Sequence, residues 1–334
     1  MLQLRIHAPG KVSLDEVAPA APGPRDAVVR VQACGICGSD LGYIALGGVA
    51  GPRREPTPLG HEFSAVIERV GSDVVRYRPG TRVVVNPLAG NNLIGNGGES
   101  GAFSPELVVR EVDGGDVLFP IPDDLPFDRA ALAEPLGVGM HAVDRAQLAA
   151  GEKVAIFGAG PIGLMALAVL RWRGFDDVAI VDLSETRLAI ARELGAALAL
   201  NAGDGDVWAP LRELHGTALW LGTVLTTGTN AYIEASGAPS VIASIIPQAR
   251  PGARISIVAL HRKPEPVDFL SVMAKQLTLA GSMAYPDDYS EMVRMLAEVD
   301  LSPAITHRFP LARFEEAFET ARDASVSGKV LIEP

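Results

Sequence analysis

Residues 153–173 read KVAIFGAGPIGLMALAVLRWR, and this stretch decides the fold of the chain. Its apolar start, Val154–Phe157, predicts a short buried strand. Pro161–Arg173 predicts a helix, because a proline in the first turn lacks only an N–H that would have no partner within the helix. Residues 158–163, GAGPIG, match the G-x-G-x-x-G pattern after a strand and at the start of a helix, which is the setting in which this pattern binds a dinucleotide.

Each glycine of this motif has a physical task in such a site. Gly158 permits the tight turn, Gly160 lets the backbone approach a pyrophosphate, and Gly163 allows the helix to pack closely on the strand. The helix N-terminus adds N–H groups and a partial positive charge for the phosphates. The alternative is that the glycines serve only helix–strand packing. The residues predicted to contact the cofactor are Gly158, Gly160, Pro161, Ile162 and Gly163.

Asp182 follows the next predicted strand, Val178–Val181, and stands 24 residues after Gly158. A carboxylate at about this position binds the ribose 2′-hydroxyl of NAD and repels the 2′-phosphate of NADP. Arg187 lies one turn into the following helix and could weaken that repulsion. We therefore include both residues in the predicted cofactor site and expect NAD rather than NADP.

The pattern of the chain changes near residue 150. Before it, short apolar stretches interrupted by Gly and Pro predict a β-rich unit, with strands such as Ala27–Val31, Phe63–Arg69 and Arg82–Val85. After it, strands alternate with helices, which is typical of a doubly wound parallel sheet. From residue 287 onward two amphipathic helices precede a short strand at Lys329–Ile332, so we expect this segment to pack on the first unit. The further elements predicted after residue 180 are helices at Ser184–Leu194, Ser240–Ala249 and Phe269–Lys275, and strands at Ala231–Ala235, Arg254–Val258 and Leu277–Ala280.

Residue types that bind metals occur at three places in the first half of the chain. Cys37 lies in GICGSD (35–40), His61 and Glu62 in GHE (60–62), and Glu134 in AEP (133–135). Thiolate, imidazole and carboxylate are all zinc ligands, and three protein ligands with one open position describe a catalytic zinc site. No single segment suffices to predict a metal site, since a histidine beside glycine is more often a loop or core residue than a ligand. The prediction rests on their combination.

The sequence resembles the zinc-containing branch of the medium-chain dehydrogenase/reductase family, and within it the sorbitol, threonine and butanediol dehydrogenase group. The resemblance implies an α/β fold with a GroES-like β-rich catalytic domain, expected at 1–147 and 287–334, and a Rossmann NAD-binding domain with a doubly wound parallel sheet, expected at 148–286. It also implies a homodimer or homotetramer formed through the coenzyme domain. The stretches that carry the resemblance are CGICGSD (34–40), PLGHEFSAVIERVGSDV (58–74), ALAEPLGVGMHAV (131–143), FGAGPIG (157–163), KQLTLAGSMAY (275–285) and ITHRFPLARFEEAFE (305–319).

Carried onto this chain, the resemblance assigns the metal ligands. Cys37 and His61 are expected to bind zinc directly, while Glu62 and Glu134 compete for the next position. Asp40 is expected to orient the His61 ring by accepting its other N–H.

The resemblance also implies a proton relay that begins at Ser39, which matches the hydroxyl that contacts the substrate oxygen. Many relatives have a histidine shortly after the GSD motif, but Gly42 and Tyr43 occupy this stretch here. Water, Tyr43 or the cofactor ribose could then carry the proton onward.

The cysteine count limits the metal content. Relatives usually carry a four-cysteine lobe for a second, structural zinc, but residues 86–104 contain no cysteine and the chain has only Cys34 and Cys37. We therefore expect one catalytic Zn²⁺ and no structural zinc. The same two cysteines form a C-x-x-C, for which a redox pair or half of a zinc ribbon are the alternatives. A ribbon needs a second pair, and the glycine-rich setting does not suit a redox pair, so we predict that Cys34 packs as a small apolar residue.

Charge and hydropathy exclude several classes of partner. The formal net charge of -11 argues against nucleic acid and phospholipid surfaces, since both attract basic proteins. The sequence contains no apolar run of the roughly 18 residues that a membrane-spanning helix needs. The N-terminus shows no secretion signal. We predict a cytoplasmic protein that acts on a small-molecule alcohol.

The main hypothesis is a reversible, zinc-dependent and NAD-linked oxidation of a secondary alcohol, diol or polyol to the ketone. The alcohol would bind zinc as an alkoxide, Ser39 would relay its proton, and hydride would pass to the nicotinamide. The alternatives are a zinc-free quinone or enone reductase of the same superfamily and a non-catalytic NAD-binding relative. His261, His307 and Lys275 lie in or near family-like stretches, but the sequence assigns them no role.

Overall fold

The computed structural model describes residues 1–19, 21–286 and 288–334, and the chain divides into two compact units. The first unit comprises Met1–Glu134, Asp288–Asp323 and Lys329–Pro334, and the second comprises Pro135–Asp287 and Ala324–Gly328. The predicted domain limit at residue 287 lies outside the described residues, and the predicted domain ranges stay a prediction.

The N-terminal part of the first unit is β-rich, as predicted. Strand β3 is buried along most of its length, because it pairs with strands on both sides and has core on both faces. The predicted strands at residues 27, 63 and 82 are all confirmed. The elements are β1 (Leu2–Ala8), β2 (Lys11–Glu16), β3 (Ala27–Gly35), α1 (Gly38–Leu46), β4 (Thr57–Pro58), β5 (Glu62–Val70), β6 (Arg82–Val85), β7 (Glu106–Val109), β8 (Leu118–Pro120) and α2 (Phe127–Ala130).

The second unit contains a parallel sheet in the strand order β11-β10-β9-β14-β15-β16, which confirms the predicted doubly wound sheet. The order reverses between β9 and β14, and a dinucleotide binds outside the carboxyl ends of the strands at such a point. The elements are α3 (Ala133–Arg145), β9 (Val154–Phe157), α4 (Pro161–Trp172), β10 (Val178–Asp182), α5 (Glu185–Glu193), β11 (Leu198–Asn201), α6 (Trp208–His215), β12 (Thr217–Trp220), β13 (Val224–Thr227), β14 (Ala231–Glu234), α7 (Pro239–Gln248), β15 (Arg254–Ile257), α8 (Phe269–Ala274) and β16 (Thr278–Gly281).

The antiparallel hairpin β12–β13 was not predicted. Its strands are only four residues long, and several of its large apolar side chains are exposed. Leu219, Leu221 and Leu225 are each more than half exposed.

The C-terminal segments Asp288–Asp323 and Lys329–Pro334 belong to the first unit. The regular alternation of strands and helices ends before these segments, which is why we expected them to pack there. Strand β18 pairs antiparallel with β3, so the C-terminal strand lies beside the strand that leads to Cys37. No helix in the described ranges is long and apolar enough to cross a membrane. The elements are α9 (Ser290–Glu298), β17 (Ile305–Pro310), α10 (Phe314–Arg322) and β18 (Lys329–Glu333).

The cysteine-free lobe at 86–104 is held by close main-chain approach and one buried amide. A Cβ on Gly95 would lie 2.3 Å from the carbonyl oxygen of Gly60, so only glycine fits there. The buried Asn92 side chain donates to Arg110 O at 3.1 Å and accepts from Arg110 N at 2.7 Å. These contacts hold the lobe in place.

His215, at the end of α6, gives the second unit a pH-dependent stability. Burial lowers its pKa from 6.5 to about 4. Between these values the unfolded chain binds more protons than the folded one, so the free energy of unfolding falls as pH falls through this window. At about 1.4 kcal/mol per pKa unit, the loss is at most about 3–4 kcal/mol.

Denaturant unfolding at neutral pH and near pH 4.5 measures this loss. We expect His215→Gln to reduce it, because glutamine does not titrate. His7→Gln is the control, since the His7 side chain is 39% exposed. Equal losses in the native chain and in His215→Gln would contradict the prediction.

Candidate metal centre and dinucleotide site

Three strand ends of the first unit converge on the predicted metal ligands. Gly35, the last residue of β3, pairs with Glu62 on β5 and with Leu331 on β18. Cys37 follows β3 by two residues, and His61 directly precedes β5. Residues far apart in the sequence therefore meet because β3 pairs antiparallel with both neighbours.

Cys37 is the N-cap of α1, which fixes the position of its sulfur. Its Sγ accepts from Ser39 N at 3.4 Å, and Asp40 Oδ2 accepts from Cys37 N at 2.9 Å. This reciprocal arrangement is a capping box with a thiol in place of the usual hydroxyl. The N-terminal end of α1 thus faces the sulfur of Cys37.

The structure brings the predicted donor atoms together. Cys37, His61 and Glu62 each offer one ligand atom, and these atoms all lie within 4.8 Å of one another. Glu134 Oε1 lies 4.0 Å from His61 Nε2 and is also buried. A thiolate, an imidazole and carboxylates at these separations fit the donor set of a catalytic zinc site.

Lys329 is a member of this cluster that the sequence did not reveal. Its Nζ donates to Glu62 Oε1 at 2.8 Å and Oε2 at 2.6 Å, and to Ile36 O at 3.1 Å. Both side chains are buried. Burial opposes the charge of Lys329, but Glu62, together with Cys37 and Glu134, outweighs it and raises the pKa of Lys329. The contact joins residues 267 positions apart, and no local pattern signals it.

The environment of His61 also suits a cation. Burial opposes protonation of the ring, but the carboxylate of Asp40 and the sulfur of Cys37 outweigh it and raise the pKa of His61 well above its ordinary value. His61 Nδ1 and Asp40 Oδ1 lie 3.6 Å apart, and both are buried without a hydrogen-bond partner among the described residues. A small ring rotation would close the bond by which Asp40 orients the imidazole.

Two further polar groups lie beside the ligands. Ser39 Oγ is buried and has no hydrogen-bond partner in the described part of the chain. The hydroxyl of Tyr43 donates to Asn96 Oδ1 at 3.1 Å. Asn96 belongs to the cysteine-free lobe, and sequence reasoning had not connected it with this site.

Cys34 is a core residue. Both cysteines are free thiols, and Cys34 is fully buried in β3. Burial is the main cause that raises its pKa well above the ordinary value. A buried, protonated thiol is inert, so the Cys34 side chain serves packing.

The second unit holds a cavity of about 970 Å³ at the glycine motif. Gly158 has φ +104°, and a Cβ there would lie 2.7 Å from Ala235 C. A Cβ on Gly163 would lie 1.8 Å from Gly158 O, whereas one on Gly160 would meet no atom closer than 3.7 Å. Gly158 and Gly163 therefore serve close packing, and Gly160 leaves open space for a ligand.

Asp182 and Arg187 both line this cavity. Asp182 Oδ1 accepts from Leu183 N at 2.7 Å and Ser184 N at 2.8 Å, and Oδ2 accepts from Ala159 N. The carboxylate thus joins the glycine loop to the end of β10.

Two further side chains, Arg187 and Trp208, line this cavity. Arg187 Nε donates to Ser327 O at 2.7 Å, which restrains the guanidinium. Trp208 also lines the cavity and packs on Phe157 with ring centroids 5.5 Å apart. Pro161 and Ile162 form the first turn of α4.

Comparisons with known proteins cover both units. Residues 161–298 match the family described as zinc-binding dehydrogenase, and residues 23–123 match the alcohol dehydrogenase GroES-like domain. The chain is 33% identical to sorbitol dehydrogenase of Homo sapiens over 335 residues, which cover 96% of this chain and 92% of that protein. It is 30% identical to (R,R)-butanediol dehydrogenase of Neisseria gonorrhoeae over 366 residues, covering 100% and 99%. The crystal structure of 2R,3R-butanediol dehydrogenase from Bacillus subtilis matches with a TM-score of 0.86 and 28% identity, covering 100% of this chain and 99% of that one.

The packing of Glu62 against β3 can be tested by adding one methyl group at Gly35. A Cβ on Gly35 would lie 2.1 Å from Glu62 Oε2, so Gly35→Ala must displace the carboxylate from Lys329. We expect a loss of about 1–3 kcal/mol in the free energy of unfolding, as for other overpacked cores. Gly38→Ala is the matched control, because no described atom lies within 4 Å of its Cβ position. Equal stability of the two variants would contradict this account of the site.

Proposed function

The chain belongs to the zinc-binding branch of the medium-chain dehydrogenase family and is an alcohol or polyol dehydrogenase, and from this premise we propose how it works. It oxidises a secondary alcohol, diol or polyol to the ketone in a reversible, zinc-dependent reaction with NAD. The observation that carries the proposal is the cluster of Cys37 with the buried His61 and Glu62, and with Glu134 beside it.

Cys37, His61 and one glutamate would hold the zinc ion. Glu62 belongs to the compact cluster, but both of its oxygens accept hydrogen bonds from Lys329. This supports Glu134 as the third ligand, with Glu62 held nearby by Lys329 and able to take its place during turnover. Only one of the two carboxylates would then bind zinc at a time. With three protein ligands, one coordination position would stay open for substrate.

When bound, zinc supplies a Lewis acid that makes the alcohol hydroxyl more acidic, and NAD supplies the hydride acceptor. Ser39 Oγ, buried and without a partner among the described residues, would accept a hydrogen bond from the substrate hydroxyl and relay its proton by donating its own to water, Tyr43 or the cofactor ribose. Asp40 holds the ring of His61. Tyr43 Oη, whose proton is directed at Asn96, offers its lone pairs to a second hydroxyl of a diol or polyol.

We infer NAD in preference to NADP from the charge at the cofactor cavity. Asp182 is held at the cavity by three backbone N–H groups. A carboxylate fixed there repels the 2′-phosphate of NADP. Arg187 also lines the cavity, and its guanidinium donates through Nε to the main chain of Ser327.

We also infer a homodimer or homotetramer that associates through the second unit. Its hairpin β12–β13 and helix α8 expose large apolar side chains, and Phe269 and Leu270 are each 71% exposed. Lys275 Nζ lies 5.2 Å from the centre of the Trp220 ring and links the hairpin to the end of α8. Apolar surface of this kind is typical of a protein interface.

Metal analysis together with turnover tests the zinc proposal. We expect about one zinc ion per chain and NADH formation with sorbitol or 2,3-butanediol. Cys37→Ala should lose both zinc and turnover, because its thiolate is a ligand, yet still bind NADH. Cys34→Ala is the matched control and should keep its zinc, since Cys34 lies in the core. Full turnover in a zinc-free preparation would favour a quinone or enone reductase instead.

The cofactor preference depends on the charge of Asp182. Asp182→Asn keeps an acceptor oxygen for the backbone N–H groups but removes the repulsion, so we expect the ratio of kcat/KM for NAD to that for NADP to fall by about tenfold. Asp206→Asn is the control, because Asp206 also lines the cavity while its carboxylate accepts from Trp208 N and Ala209 N at the start of α6. An unchanged ratio in Asp182→Asn, or an equal change in the control, would refute this role.

A further inference from the structure

A carboxylate–imidazole–carboxylate cluster lies just after β14 and β15, apart from every residue assigned above. His261 Nε2 lies 2.7 Å from Glu234 Oε2, and His261 Nδ1 lies 2.6 Å from Glu265 Oε1. Glu234 is fully buried, and the other two side chains are no more than 15% exposed. Each ring nitrogen faces a different carboxylate, so this is not a set of ligands around one metal ion.

The geometry favours the imidazolium form of His261. Only a protonated ring has an N–H on both nitrogens, whereas a neutral ring turns a lone pair toward one of the carboxylates. The charged groups that face the ring are Glu265 from its own loop and Glu234 from β14, while Arg262 and Lys263 beside it are exposed. The hydrogen bond with Glu265 is the main cause that raises the pKa of His261, and Glu234 adds to it against the effect of burial.

The second oxygen of Glu234 shapes the turn after β14. Glu234 Oε1 accepts from Ser236 N at 2.9 Å, from Gly237 N at 3.0 Å and from the Ser236 hydroxyl. Ala235 and Ser236 line the dinucleotide cavity, and both would touch a Cβ on Gly158 at 2.7 Å. Glu234 therefore fixes a turn that packs directly on the glycine loop.

The main chain of Glu234 links this turn to the next strand. Its carbonyl oxygen accepts from Val258 N at 3.0 Å and from Ala259 N at 3.2 Å. His261 follows Ala259 by two residues and returns to the Glu234 side chain. The loops after two neighbouring parallel strands are thus joined at the sheet edge where dinucleotides bind.

We propose that His261 is a positioning residue for the dinucleotide, which as an imidazolium bridges Glu234 and Glu265 and holds the turn at 235–237 against the glycine loop. This inference rests on the dinucleotide site proposed above. When the ring loses its proton, the bridge loses one N–H donor, and the turn is held less firmly. Because linkage is reciprocal, the dinucleotide binds more tightly to the protonated protein and its Kd rises with pH.

Titration of the protein with NADH, followed by fluorescence from about pH 6 to about pH 9, tests this proposal. We expect the Kd of the native chain to rise by about fivefold over this range. His261→Gln should bind NADH weakly throughout, with little change of Kd with pH. His7→Gln, altered at a partly exposed histidine of the first unit, should match the native chain.

Glu265→Gln provides a second and milder test, which also serves if His261→Gln fails to fold. The ring then keeps only the Glu234 carboxylate, so its proton is lost more readily and the rise in Kd should begin at lower pH. A purely structural role would weaken binding equally at every pH. Native-like pH profiles in both variants would overturn the role of His261, whereas a native chain that binds no NADH would overturn the dinucleotide site itself.

Discussion

The pairing of β3 on both of its edges is the constraint on which the candidate metal centre depends. β5 on one side supplies Glu62, and β18 on the other supplies Lys329. Because Glu62 is buried, its charge would be strongly destabilising without a partner, and breaking such a pair typically costs about 3–5 kcal/mol. Strand β18, near the C-terminus, is therefore required to position Glu62 in the N-terminal part of the first unit.

The second unit organises its site differently, through main-chain geometry. The glycines of the motif bring backbone segments within contact distance, and Asp182 and Glu234 use their carboxylates to fix loops by accepting backbone N–H groups. Such loops present rigid N–H groups to a ligand with little loss of conformational entropy on binding. Each carboxylate ties one strand end to its neighbour, so the edge of the sheet is fixed as a unit.

Much of this could be predicted from the sequence, because the informative signals were local. The apolar run before Gly158 and the proline that opens α4 each act within a few residues, and the structure has the corresponding elements. Lys329 and Asn96 could not be connected with the site, since their contacts depend on strand pairing and loop packing over long separations. The hairpin β12–β13 was missed because its strands are short and their exposed faces carry apolar residues where alternation would place polar ones.

The cysteine-free lobe changes how the protein responds to oxidants. Its shape comes from close glycine contacts and the Asn92 amide, and none of these groups reacts with peroxide. Cys34 is sealed in the core as a protonated thiol, which leaves Cys37 as the accessible sulfur of the two. Oxidation of cysteine in this chain is therefore expected at one atom beside His61, the sulfur that we propose as a metal ligand, while the lobe keeps its structure.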